Sequence, residues 1–159
     1  MDSDQYSQNV INCIAACSAL YEENPSEALF SSKFNHEIKE VILSKDIDGS
    51  LEIKYMICYC SNSGTNKQML IAFRETKYMT DFILDIQQYG EINGCNGGFH
   101  SSINLLSHQI PIDFLVNKIK DEYKITFTGY SLGASIASIV AARLLFHEKT
   151  KSKSEIFCS

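Results

Sequence analysis

Residues 129–133, Gly-Tyr-Ser-Leu-Gly, set a serine between glycines two positions before and two positions after it. Alternating β-branched residues precede it from Ile125, and a run of helix formers follows it to Phe146. A strand that turns sharply into a helix holds such a serine on a strained backbone with its hydroxyl outward, and the flanking positions must be small or strand and helix collide. Gly129 and Gly133 meet that demand, and Ala134 and Ala137 keep the helix small toward the strand. With 8 glycines in 159 residues the spacing is uncommon by chance, and its strand–turn–helix setting makes it less so. The chemistry on offer is nucleophilic attack on a carbonyl carbon.

Three blocks in order extend the pattern. "ITFTGYSLGASIASIVA" resembles the T-G-H-S-L-G-G-A block of the class 3 (fungal-type) lipases, "LIAFRETKYMTDFILDI" is similar to their F-R-G-T-x-S…D-W-x-x-D-L block, and "CNGGFHSSI" to their V-H-x-G-F segment. The N-terminal helix resembles the opening helix of the same family, and the resemblance covers most of residues 5–159. It implies an α/β-hydrolase fold with a mixed sheet and a buried helix after the serine turn. Residues 1–159 would form one domain that looks like the N-terminal part of a hydrolase. The implied activity is hydrolysis of acylglycerol or other carboxylic esters, with no cofactor and no metal.

Carried over by position, Ser131 matches the nucleophile, Gly129 and Gly133 the turn glycines, and Leu132 the residue whose backbone N–H helps bind the oxyanion. Thr76 matches the hydroxyl residue that supplies the second donor. Two fixed donors aimed at the developing negative charge are what a tetrahedral intermediate needs. Tyr130 stands where the family has histidine, Ala134 where it has a further glycine, Asn96 where V-H-x-G-F has its histidine, and Phe82 where the helix has tryptophan. Glu75 replaces the glycine of F-R-G-T, so either its carboxylate points to solvent or it opposes the charge that must build up beside it.

A serine nucleophile also needs a histidine and an acid, which in this fold follow the serine in the order acid, then histidine. After Ser131 come only His147, Glu148 and Glu155. His147 stands sixteen residues along a helix, about 24 Å away at 1.5 Å per residue, and reads as a helix-end histidine. His36, His100 and His108 precede the serine; His100, beside a glycine-rich loop, is the least remote alternative. The strand that would carry the acid starts at "EIFCS", so acid and histidine are expected beyond residue 159, and residues 1–159 alone are expected not to turn over an ester. The competing reading is a non-catalytic lipase-like module that binds a lipid or a protein, the latter covering the incomplete sheet.

Bulk properties narrow the partners. A net charge of −5 removes the attraction to phosphate on which nucleic-acid binding rests. There is no basic amphipathic helix for an anionic membrane, although a lipase reading entails transient contact with a lipid interface. The N-terminus lacks the basic flank and apolar core of a secretory signal, and no segment is long enough to span a bilayer, which together point to the cytoplasm. The six cysteines have neither paired CxxC spacing nor zinc-type histidine neighbours and read as reduced thiols. Lys149, Lys151 and Lys153 read as a solvated turn.

Several elements must position the serine. Tyr6, Val10, Ile14, Cys17 and Tyr21 recur at three and four residues, predicting an N-terminal helix from about Asp4 to Glu22 with these five on its buried face. An irregular piece and short strand end near Asp48-Gly49. "LEIKYMICYC" and "QMLIAFRET" predict an antiparallel hairpin, with Cys58 and Cys60 on one face. A short helix is expected around Phe82–Ile86, a loop through the glycines near residue 95, and a bent helix or two short ones over Ser101–Glu122, broken by Pro111. A strand, an almost wholly apolar helix buried between the sheet and other elements, and a last strand complete a sheet that is antiparallel early and parallel later.

Overall fold

The computed structural model describes residues 3–34, 37–43, 54–62, 66–74, 110–147 and 156–158. Helix α1 spans Ser3–Ala19 and α2 Pro25–Phe30; strands β1, β2 and β3 span Glu37–Leu43, Lys54–Asn62 and Asn66–Arg74. Helix α3 runs over Ile112–Lys120, β4 over Lys124–Gly129, α4 over Leu132–Phe146 and β5 over Ile156–Cys158.

The five strands lie side by side in chain order. β1 pairs antiparallel with β2 and β2 with β3, whereas β3–β4 and β4–β5 are parallel. The mixed sheet therefore has the predicted change of direction, and the β2–β3 hairpin sets Cys58 opposite Leu70. Alternation along the strands sends side chains to two cores. Tyr59, Ile71, Phe73 and Phe127 meet α3 and α4 on one face. Met56, Cys58, Cys60, Leu70 and Ala72 meet α1 and Leu29 of α2 on the other, so Cys58 and Cys60 do share a face. Burial on both faces explains why β2 and β3 read as nearly continuous apolar runs.

Two expectations need correction. The buried face of α1 is Asn12, Cys13, Ala16 and Ala19, followed by Leu20, rather than the predicted stripe. Of that stripe Tyr6 and Ile14 are each 61% exposed and Tyr21 is 42% exposed. Small residues let the helix lie close to the strands, and close approach outweighed side-chain size in choosing the face. Second, α4 is buried on one side only. Ile136, Val140 and Leu144 enter the core while Ser135, Ser138, Leu145 and Phe146 are exposed. Helix α2, "PSEALF", lies in a stretch to which the sequence reading gave no element. Asn24 caps it, its side chain accepting from the Glu27 N–H and donating to the Glu27 carboxylate at 3.1 Å, with Pro25 in the first turn. Asn-Pro-x-Glu is a helix-start signal of the capping-box kind.

Pro111 stands at the N-cap of α3, the C-terminal part of the expected Ser101–Glu122 element. The expected helix near Phe82, the glycine-rich loop, and Ser101 to Gln109 lie outside the described residues.

Candidate active site

β4 ends at Gly129 and α4 begins at Leu132, which leaves two residues to reverse the chain from sheet to helix. Ser131 accomplishes this with φ 54° and ψ −121°. A non-glycine residue there carries backbone strain of about 1–3 kcal/mol, sustained only when the surroundings dictate it. They do so through the two glycines. A Cβ on Gly129 would run into the backbone of Gly133 and lie 2.6 Å from the Ala134 nitrogen; one on Gly133 would meet the Phe73 carbonyl, 2.9 Å from its carbon. The tight turn expected from the glycine spacing is present, and the spacing serves the purpose read from it.

The turn leaves polar groups outward. Ser131 is exposed, and although it occupies the N-cap of α4 its side chain makes no capping bond to the helix. The N–H groups of Gly133 and Ala134 bond to the carbonyls of Tyr130 and Ser131 at 2.9 and 3.0 Å. Among the described residues no backbone carbonyl takes the Leu132 N–H. That group is one of the orphan donors of a helix N-terminus, and the first turn of α4 has no acidic residue to neutralise the positive end of the dipole. The exposed Ser131 and the Leu132 N–H are thus carried by consecutive residues at the N-terminus of α4, where the helix field favours negative charge.

The parallel pairing of β3 with β4 brings Phe73 opposite Gly129, so the end of β3 arrives beside the serine turn. Thr76 and Glu75 continue from that end and lie outside the described residues, as do His36, Asn96, His100 and His108. His147 is the one histidine described. It caps the far end of α4, sixteen positions from Ser131 or about 24 Å at 1.5 Å per residue, and cannot serve that serine.

Sequence reasoning missed what stands opposite the turn. A cavity of about 540 Å³ lies between α1 and the end of β4, walled by Val10, Ile14, Cys17 and Tyr21 on one side and residues 128–130 on the other. Its helix wall carries four of the five residues of the stripe expected to be core, with Cys13 and Ser18 beside them. Cys17 Sγ lies 3.6 Å from Thr128 Oγ1, and burial pushes the Cys17 thiol above its ordinary value, so it stays protonated near neutrality. Arg74, the last residue of β3, holds the helix in place. Its Nη1 donates to the Leu20 carbonyl at 2.9 Å, and its guanidinium lies 4.4 Å from the Tyr21 ring centre. The signal for Arg74 was its place in "FRET", read only for the glutamate and the threonine.

The family model described as lipase (class 3) matches residues 60–159, from β2 through β5 with the serine turn inside. The chain belongs to the class 3 lipase family. Membership implies an α/β-hydrolase fold and makes this a relative of lipase- and esterase-type hydrolases, whose substrates are lipids or other esters. No solved structure matches the chain. Among the described residues no helix is long and apolar enough to cross a membrane, and no group of histidine, cysteine and acidic side chains could hold a metal ion.

Proposed function

We propose that this protein is a serine hydrolase of lipase or carboxylesterase type, acting on acylglycerol or other carboxylic esters, with Ser131 as nucleophile. The observation that carries the reading is the backbone of Ser131, held at φ 54° by two glycines that admit no side chain. In this mechanism Ser131 Oγ attacks the ester carbonyl carbon, and a general base takes its proton. The carbonyl oxygen becomes an oxyanion that accepts hydrogen bonds from the Leu132 N–H and the Thr76 hydroxyl. Collapse expels the alcohol and leaves an acyl ester on Ser131, which water then hydrolyses. His147 is too remote to be the base, and the described residues assign the base and its acid to no other side chain.

A second reading, a lipase-like module that binds lipid or protein without turnover, is favoured by Glu75 next to the proposed oxyanion donor. The two are separated by reaction of the protein isolated from its own cells with a fluorophosphonate, compared with its Ser131→Ala variant. Covalent labelling lost in the variant supports the hydrolase. Lipid binding without labelling supports the module.

A further inference from the structure

Residues 5–21 contain no charged side chain. From Ser7 to Tyr21 the exposed residues are Ser7, Ile11, Ile14, Ser18 and Tyr21, and every residue between them is buried or half-buried. Spacings of four, three, four and three set these five in one straight stripe on the outward side of α1 and its last turn, opposite Asn12, Cys13, Ala16 and Ala19. The water side of a surface helix is ordinarily polar and charged, whereas the middle of this one is Ile11, 42% exposed, and Ile14, 61% exposed. We infer that the stripe is a self-association face, on which α1 of a second copy of this chain packs antiparallel. Ile11 then meets the partner's Ile14, and Ser7 meets the partner's Ser18. The pairing is independent of any chemistry at Ser131.

The order of residues along the stripe is what selects a second copy. Ser7, Ile11, Ile14 and Ser18 read the same in both directions about a point between Asn12 and Cys13. A two-fold axis through that point, perpendicular to the helix, matches the stripe to itself, as a contact between identical patches requires. The isoleucines fill the centre. The serines, being small, let the two helices close to the roughly 8–10 Å of packed pairs. No charge is taken out of water in the contact, and a strongly charged partner would find nothing on the stripe to answer it.

Size and charge fix the strength. Ser7 and Tyr21 are fourteen positions apart, about 21 Å at 1.5 Å per residue, and the strip is one helix, about 10 Å, wide. That falls short of the roughly 800 Å² per partner of a stable complex, so the pair is weak and exchanging. The net charge of −5, with Glu22 and Glu23 exposed just past Tyr21, opposes pairing at low salt. Ile14, Ser18 and Tyr21 also line the cavity between α1 and the end of β4, so pairing covers that rim and shields Cys17 beside it.

Sedimentation velocity tests the pairing at protein concentrations between about 10 µM and 1 mM, the weak end of specific association. Monomer should give way to dimer across that range, and salt raised from about 0.05 to 0.5 M should strengthen the dimer by screening its acidic ends. Ile11→Lys and Ile14→Glu, each confirmed as folded by circular dichroism, should each weaken it about tenfold or more, because each sets an unpaired charge in the contact. Mixed in equal amounts the two variants should associate again, since the antiparallel axis sets the introduced lysine of one chain opposite the introduced glutamate of the other. Alkylation of Cys17 by N-ethylmaleimide should slow as the dimer forms. A protein that stays monomeric throughout, or a dimer that both variants leave intact, overturns the inference. So does a dimer that the single variants break and mixing fails to restore, because the two helices are then not antiparallel. A monomer that binds phosphatidylcholine vesicles, and loses them with Ile14→Glu, gives the face to a lipid surface instead.

Discussion

Gly133 of α4 is packed against the carbonyl of Phe73, at the end of β3, closely enough that a Cβ on the glycine would lie 2.9 Å from the Phe73 carbonyl carbon. The first turn of the helix is thereby pressed onto the neighbouring strand, and Ser131 is held between them at positive φ. Gly133→Ala should cost about 3 kcal/mol, the upper end for overpacking, because the atom it strikes is backbone that cannot swing aside. Urea denaturation measures the loss. A change below about 0.5 kcal/mol would show that the turn relaxes without cost and that Ser131 is not held.

Arg74 should stabilise the α1 end through its bond to Leu20 and its contact with Tyr21. Arg74→Met keeps the stem and removes the charge, and should destabilise by about 1.5–3 kcal/mol, the range for a charge-assisted hydrogen bond. Combined with Tyr21→Leu in a double-mutant cycle, about 0.5–1 kcal/mol of coupling is expected for the ring contact. Zero coupling would assign the Arg74 effect to the Leu20 carbonyl alone.

Parts of this architecture were legible because a single local pattern dictated them. The glycine pair around Ser131 has one physical use, and it recovered strand, turn and helix together. The β2–β3 hairpin followed from two apolar runs across a polar loop. The face of α1 did not follow. Periodicity located the helix but could not say that Ala16 and Ala19 would outcompete Ile14 and Tyr21, because that choice is made by how closely β3 and β4 approach. The groove was illegible for the same reason. α2 carried a readable signal in Asn24, Pro25 and Glu27, but its six residues are too few for periodicity to register.

Stability should fall in alkaline solution because of the buried thiols. Burial, with Cys60 as a smaller contributor, raises Cys58, and burial pushes Cys60 up to about 12. A raised folded-state value means the stabilisation is fully present below the unfolded thiol value of about 8.5 and is lost as pH rises from there toward the folded value. Each thiol should add up to about 1.4 kcal/mol per pH unit to the decline between pH 9 and 10. Denaturation under reducing conditions at pH 8, 9 and 10 should show a shallower slope for Cys58→Ala/Cys60→Ala than for the unsubstituted protein. Equal slopes would mean that the thiols are solvated in the folded state.

The most direct measurement concerns Ser131 itself. The protein isolated from its own cells is treated with a fluorophosphonate and digested, and the adduct is located by tandem mass spectrometry. Activation of the serine at the β4–α4 turn predicts one stoichiometric adduct on Ser131, absent from denatured protein and from Ser131→Ala. A folded protein that takes no label at Ser131, or takes it on another residue, would contradict the assignment of Ser131 as the nucleophile of an ester hydrolase.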